Sequence, residues 1–339
     1  MKCMPTLNTT NTPYSTLGPH LILDAIESLG FQCSGSLLAL NSYENRVYQV
    51  GIEGADPVIA KFYRPQRWTS EAILEEHQFA LELQEHELPV IAPLRLGSSL
   101  STLHEFKGFR FALFPRQGGR PLELDNLEQL EWMGRFIGRL HAIGACKPFL
   151  HRPRLDVQVY GYKPYQFLLE NNFIPAELRQ NYCLTVEVIL QKIEQSFQQL
   201  GEVPFLRLHG DCHAGNVLWN QTGPHIVDLD DCLMGPAVQD IWMLLSGNEQ
   251  DVKKQLKHIL DGYLEFYDFN NRELHLVEAL RSLRMIHYSA WLARRWDDPT
   301  FPLNFPWFNT PRYWQEQLQH LREEAALLEE VNERFEGWD

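Results

Sequence analysis

The sequence predicts an α+β protein in two lobes, a small strand-rich one first and a larger, mostly helical one after it. Three observations carry this. Runs of strand type, Arg46 to Val50, Val58 to Phe62 and Phe109 to Phe114, are confined to the first third of the chain. Beyond it the apolar residues recur at helical spacing. Between the two regimes stand Pro115 and the pair Gly118-Gly119, punctuation of the kind that marks a joint. A length of 339 residues suits two units, at roughly 100 to 200 residues per domain. The expected division is a flexible tail over 1–19, an N-lobe over 20–115 and a C-lobe over 116–339.

Taken in order, residues 1–19 are polar and rich in Thr, Asn and Pro, which reads as a loose tail. Leu21, Ile22, Ala25, Ile26 and Leu29 then follow helical spacing, and Gly30 is the stop. The runs Arg46 to Val50 and Val58 to Phe62 are separated by Gly51, Gly54, Asp56 and Pro57, as a hairpin requires. Ala72 to Glu87 is helical and ends before Leu88-Pro89. In the larger part, Leu130, Met133, Ile137 and Leu140 share one helix face, and Val186, Leu190, Ile193, Phe197 and Leu200 form a second stripe. Both read as core packing. Val217 to Trp219 and His225 to Leu229 form a hairpin around Thr222-Gly223-Pro224, and helices fill the rest. The aromatic run Phe301 to Phe308 covers the core or lines a substrate groove, with the core preferred.

Composition excludes several classes. The net charge is −14, which repels phosphate backbones at long range, so no nucleic-acid partner is expected. Six cysteines with no Cys-x-x-Cys pair give neither a zinc nor a redox framework, and they suit a reducing compartment. The amino terminus has no signal-peptide pattern and no run of about 18 apolar residues occurs. The expectation is a cytoplasmic monomer with no membrane partner.

The chemistry is concentrated in His209-Gly210-Asp211-x4-Asn216, followed by Ile226-Val227-Asp228. A phosphoryl-transfer enzyme must hold a metal on the phosphates, orient the acceptor hydroxyl and stabilise charge. Magnesium takes hard oxygen ligands, one or two from the protein and the others from phosphate and water. Asp211 suits the acceptor hydroxyl, and Asn216 with Asp228 suits the metal, because a hairpin returns residues twelve apart to one end. A lone Asp in a Gly-containing loop is ordinarily a turn residue; the three together, interleaved with apolar strands, point to chemistry. His209 and His213 read as braces of the loop in preference to metal ligands. Asp230 and Asp231 are ambiguous, since an exposed pair of acids is ordinarily just solvated, and Asp240 caps a helix or ties down the loop. Lys61 lies within the apolar strand Val58 to Phe62, where an amine is costly unless paired. It suits ATP phosphates together with a Glu of the next helix. Glu76 is preferred over Glu75, because Leu83 then lies on its face and packs inward. The plainer alternative for Lys61 is a snorkelling edge-strand side chain.

These residues resemble the aminoglycoside phosphotransferase and choline kinase branch of the protein-kinase-like superfamily, and within it a group of bacterial stress-response kinases. Supporting segments are Leu40 to Gln49, Lys61 to Pro65, Glu75 to Leu81, Gly235 to Asp240 and Trp291 to Trp296. The resemblance covers roughly 20–325 and implies a protein-kinase-like bilobal fold, with nucleotide binding in the N-lobe and catalysis and substrate binding in the C-lobe. It also implies a serine/threonine protein kinase that uses ATP and Mg2+ on a protein hydroxyl. By it, Asp211 and Asp228 are catalytic, Asn216 and Asp228 hold the metal, and Ser42, with Lys61 and Glu76, serves the nucleotide. The chain departs from ordinary protein kinases: Asn41 to Tyr48 stands where a Gly-x-Gly-x-x-Gly loop would, Asp228-Leu229-Asp230 replaces Asp-Phe-Gly, and no Ala-Pro-Glu segment is present.

Two other readings compete. A small-molecule kinase for an aminoglycoside, choline or homoserine-like alcohol would use the same parts. Glu123, Asp125, Glu128 and Glu131 could attract a cationic substrate, although exposed helix acids are ordinary. A non-catalytic nucleotide-binding module would commonly lack one of Lys61, Asp211, Asn216 and Asp228. A metallophosphatase needs two metals and several His and Asp clusters, which this sequence does not supply.

Overall fold

The computed structural model describes residues 12–201 and 203–334. The chain divides into two compact units. The first runs to Leu81 and takes in Ile91–Gln117 and Arg295–Pro306; the second holds Glu82–Val90, Gly118–Arg294 and the chain from Trp307. Neither is contiguous, whereas the sequence reading made each lobe one continuous stretch, 20–115 and 116–339. The late segment joins the first unit through ion pairs that no periodicity reports. Arg295 Nη2 lies 2.6 Å from Glu44 Oε2, and Arg64 Nη1 lies 3.1 Å from Asp298 Oδ2.

The first unit opens with helix α1 (Pro19–Glu27), whose proline presets the first helical φ. Ile22, Ala25 and Ile26 are its buried face, and Gly30 follows at φ 91°. Strands β1 (Cys33–Ala39), β2 (Arg46–Ile52) and β3 (Ala55–Phe62) precede helix α2 (Ser70–Glu85), after which come β4 (His104–Phe106) and β5 (Phe109–Pro115). The five strands form one antiparallel sheet in the order β1-β2-β3-β5-β4. The β2–β3 register slips between Val50 and Ile52, opposite Pro57, which has no N–H for the ladder. Ile22, Ile26, Val50, Ala60, Phe62, Phe111 and Leu113 form the core.

A tail is expected over 1–19, but residues 12–19 are tied to the first unit. Residues 1–11 lie outside the described ones, but Tyr14 stacks on Phe109 and donates its hydroxyl to the Phe62 and Glu44 carbonyls, and Leu17 joins the core. A polar composition hid two anchoring side chains.

The second unit contains β6 (Arg120–Pro121), α3 (Leu127–Gly144), α4 (Lys163–Glu170), α5 (Ala176–Leu200), β7 (Leu206–Leu208), β8 (Val217–Asn220), β9 (Gly223–Ile226), β10 (Leu233–Gly235), α6 (Val238–Trp242), α7 (Glu249–Tyr263) and α8 (Val277–Ala293). Then α9 (Thr300–Asn304) returns to the first unit, and α10 (Pro311–Arg334) belongs to the second. The stripe Leu130, Met133, Ile137 and Leu140 is buried, as are Val186, Leu190, Ile193 and Leu200. Phe301, Phe305 and Phe308 of the aromatic run are buried, while Leu303 and Trp307 are exposed. Glu123 and Glu131 pair with Arg120 and Arg135, which is ordinary surface charge. Among the described residues no helix is long and apolar enough to cross a membrane.

Helices α3 and α7 touch backbone to backbone. A Cβ on Gly134 would overlap the Ile259 carbonyl, and one on Gly262 would overlap the Glu131 carbonyl. No neighbour there is a flexible side chain that could yield. Gly134→Ala is therefore expected to cost about 1–3 kcal/mol through overpacking. Gly118→Ala, with nothing within 4 Å of the added carbon, should stay within about 0.5 kcal/mol. Thermal melting of both variants checks this; equal melting points would remove the close approach as a constraint.

Candidate functional site

The site begins with an alternation of strand and loop. β7 pairs antiparallel with β10, Leu208 opposite Leu233. Arg207 in β7 is buried, and its guanidinium donates to both Glu82 carboxylate oxygens at 2.8 and 3.2 Å and to the Ile143 carbonyl. The strand that delivers His209, Gly210 and Asp211 is thus fixed by a satisfied buried cation.

The turn that follows is held from beneath. Asp240, fully buried in α6, accepts the His209 N–H on Oδ2 and the Gly210 N–H on Oδ1, each at 2.8 Å. His141 faces the same carboxylate with Nε2 at 3.1 Å, while its Nδ1 lies 2.8 Å from the Tyr263 hydroxyl. Of the two roles open to Asp240, tying down the loop is the one it performs. Gln239 donates to the Gly210 carbonyl, and Gly210 sits at φ 83°, where a Cβ would also overlap the Asp231 carbonyl. Only glycine fits there.

Both histidines brace the loop. His209 Nδ1 accepts the Asp211 N–H, which leaves the proton on Nε2, facing the Val227 carbonyl at 3.1 Å. His213 Nδ1 accepts the Gly215 N–H, which turns a protonated Nε2 toward Asp211 Oδ2 at 3.4 Å. Arg284 of α8 meets the other oxygen, Nη1 to Oδ1 at 2.8 Å. Burial alone would raise the Asp211 carboxyl. The His213 hydrogen bond and the Arg284 charge outweigh it and hold the group well below the usual carboxylate range.

Asn216 donates its amide N–H to the Asp211 carbonyl at 3.0 Å, so its side-chain oxygen is left to accept a hydrogen bond or bind a metal elsewhere. The Val227 N–H donates to the Asn216 carbonyl, extending the β8–β9 hairpin, in which Val217 pairs with Ile226. Asn216 and Asp228 therefore flank the same, open end of that hairpin. Asp228 is exposed and adopts φ 63°, ψ 66°, a left-handed conformation unusual for a residue with a Cβ. Arg152, buried, donates to the Cys232 carbonyl at 2.9 Å and to the Asp230 carbonyl, and so pins the segment after it. Asp230 is itself buried, so it is not a solvated acid; the 3-10 turn Leu229–Asp231 turns it inward.

In the first unit Lys61 is buried in β3, with Nζ 3.3 Å from Glu76 Oε1. Two strands flank β3, which makes Lys61 a residue of the sheet interior. Tyr63 and His77 link through a 2.7 Å contact, and His77 Nδ1 reaches the Thr102 hydroxyl at 2.9 Å, which fixes α2 beside the strand. Leu83 is fully buried on the helix. Ser42 lies in the β1–β2 loop and donates to the Asn45 carbonyl at 3.0 Å. Sequence reasoning missed Arg284, which lies 73 residues from its carboxylate partner, and His141, 99 residues from Asp240. No local signal marks either.

The model of the phosphotransferase enzyme family matches residues 36–286. Stress response kinase A of Escherichia coli K12 is 43% identical over 324 residues, which cover 96% of this chain and 97% of that protein. A Salmonella typhimurium protein named serine/threonine protein kinase RdoA is 43% identical over 317 residues, 94% of this chain and 95% of that one. Among solved structures, an amicoumacin kinase in complex with AMP-PNP and Ca2+ superposes with a TM-score of 0.66 at 19% identity, covering 90% of this chain and 92% of that chain. At that identity the likeness shows the fold, and it agrees with the protein-kinase-like architecture.

Beneath the loop, Glu273 accepts the Val238 N–H at 3.0 Å and so holds the start of α6, the helix that carries Asp240. Burial pushes its carboxyl up from 4.5 to about 7, against the opposing hydrogen bonds from Val238 and Ala237. As pH rises from about 4.5 to 7 the unfolded chain loses this proton while the folded chain retains it. Glu273 then costs stability progressively across that window. Glu273→Gln should gain in melting temperature relative to the parent as pH rises from 5 to 7.5. A gap that stays constant with pH would show that Glu273 does not titrate there.

Proposed function

The chain belongs to the phosphotransferase enzyme family, and from that membership we propose that it transfers the γ-phosphoryl group of ATP to a serine or threonine hydroxyl of a protein. That it is an ATP-dependent phosphotransferase follows from the family and from relatives named as kinases. The protein acceptor is carried over from the relatives' names, as is a setting in the stress response. The observation that most supports the reading is a carboxylate, an amide oxygen and a second carboxylate gathered on one braced loop and hairpin: Asp211, Asn216 and Asp228.

Asp211 would accept the hydrogen bond of the incoming hydroxyl. The hydroxyl oxygen bonds to the γ-phosphorus, the bond from that phosphorus to the β–γ bridging oxygen breaks, and ADP leaves with the electron pair. The hydroxyl proton passes to the Asp211 carboxylate and on to water. A carboxylate held this acidic is a weak base, so its main contribution is orientation, with the proton taken late. This suits a loose transition state in which the nucleophile needs little activation. Lys61, paired with Glu76, would neutralise nucleotide phosphate oxygens, and Ser42 would support the loop above them.

The residues fit Mg2+. Asn216 offers its side-chain oxygen and Asp228 an exposed carboxylate, both hard donors. Among the described residues no group of three His, Cys, Asp or Glu could hold a metal, which suits an ion that takes most of its ligands from phosphate and water. When bound, such an ion neutralises charge on the phosphates. Asp228's left-handed backbone is consistent with a side chain aimed by function.

Asp211→Asn should lower phosphoryl transfer by about 10² to 10⁴, the range for a positioned acid or base. The variant should still be stabilised by ATP and Mg2+ in a thermal melt. Transfer near the parent rate would remove Asp211 from the chemistry. Lys61→Ala should raise the KM for ATP, lower kcat, or both, and unchanged kinetics in a folded variant would refute its role. Assay against a generic protein substrate and a panel of small alcohols decides the acceptor class. Transfer to the alcohols alone would replace the protein-kinase reading with a small-molecule one.

A further inference from the structure

The cation on Asp211 bears on which hydroxyls the site accepts. Arg284 Nη1 lies 2.8 Å from Asp211 Oδ1, and His213 Nε2 lies 3.4 Å from Oδ2. Both carboxylate oxygens are therefore faced by donors, and an acceptor hydroxyl that approaches one of them competes with the donor already there. His213 is fixed by the Gly215 N–H on its other nitrogen. Arg284 is the one free to move, with its side chain 45% exposed on the outer face of α8. A guanidinium cannot be deprotonated, so once displaced it needs another anion or full hydration.

The strip of α8 around it offers none. Arg284, Tyr288 and Trp291 follow one helix face, and Tyr288 stacks on Trp291 with centroids 5.7 Å apart. Arg281, a turn away, is satisfied by the buried Glu278, and Arg294 lies over the Phe167 ring. Arginines interleaved with aromatics make the side-chain set that dominates protein-recognition surfaces. In a chain of net charge −14, this strip is a local exception.

We propose that Arg284 selects the acceptor: the preferred substrate is a protein segment whose serine or threonine has an aspartate or glutamate one or two residues away. This rests on the reading of the chain as a protein kinase with Asp211 at the acceptor hydroxyl. On binding, the hydroxyl takes Asp211 Oδ1 and the neighbouring carboxylate takes the released guanidinium. The two anion positions must lie within the reach of one Arg side chain. At roughly 3.3 Å per extended residue, this limits the spacing to adjacent or next-adjacent positions. Arg284 thereby exchanges one carboxylate for another, and its charge stays paired throughout.

The test uses the full chain with ATP, Mg2+ and three peptides that are identical apart from Asp, Ala or Lys at the positions flanking one serine. Phosphate incorporation gives kcat/KM for each, and ADP release is followed separately. The parent protein should favour the Asp peptide over the Lys peptide by roughly tenfold or more, the scale of one ion pair of about 1.4 kcal/mol. Arg284→Lys should keep the order, Arg284→Ala should flatten it and Arg284→Glu should reverse it, with melting points confirming the fold. A flat preference in the parent, or an Arg284→Ala variant that loses turnover equally on all three peptides with the order intact, overturns the proposal and leaves the protein-kinase reading standing. Transfer to small alcohols and to no peptide overturns that reading, and the proposal with it.

Discussion

A fully buried carboxylate, that of Asp240, holds the loop on which the rest of the site is built. Its charge is out of water, so it persists only because three donors meet it: the N–H groups of His209 and Gly210 and the imidazole of His141. Hydrogen bonds to a charged group are worth about 1.5–3 kcal/mol each, and leaving such groups unmade costs more. The geometry has no slack. Two successive amides must point at one carboxylate, which sets the backbone through Gly210, and the glycine's positive φ turns the next side chain outward. Asp211 is placed by what lies behind it.

The same logic repeats on a smaller scale. Arg152 and Arg207 are buried guanidiniums that end on main-chain carbonyls, one after the hairpin and the other on the strand before the loop. They pin the backbone on either side of Asp211 to Asp228 and leave the short connections between to adopt the turns that the hairpin demands. In the first unit the Lys61 amine is matched by Glu76, and Tyr63, His77 and Thr102 hold that helix to the sheet. Each of these three buried cations meets its partner on another segment of the chain. The interior ion pairs act as cross-links between elements, with specificity of placement as their main product.

What could be read from the sequence was whatever is written locally. The Asp211, Asn216 and Asp228 set is legible because a loop and a two-residue hairpin turn fix its spacing through covalent connection. The stripes of α3 and α5 are legible because burial imposes a period. β1 was not, since only two of its residues face the core side and its remaining positions are exposed. The segment 295–306 reads as part of a helical lobe, yet Glu44, Arg46 and Arg64 draw it to the other unit through charge. Glu75 and Glu76 were told apart by where Leu83 had to pack, an argument from the helix face that holds because α2 is regular. Arg284 and His141 had no such handle: their partners lie 73 and 99 residues away, and a single Arg or His on a helix carries no period.

Net charge misleads at the scale of a site. At −14 the molecule should repel nucleotide and acidic peptide alike, yet fields between exposed charges are screened beyond about 8 Å in physiological salt. Within that distance of Asp211 lie Arg284 and His213, and within that distance of Glu44 lie Arg64, Arg67 and Arg295. Many of the acids that make the total negative lie on helix surfaces, where pairs such as Lys253 with Glu249 and Lys257 with Asp261 contribute little. Some cations, such as Lys61, Arg152 and Arg207, are buried, and Arg284 is brought to Asp211. An acidic surface discourages indiscriminate binding to polyanions, while guanidiniums such as that of Arg284 set the charge close to individual carboxylates.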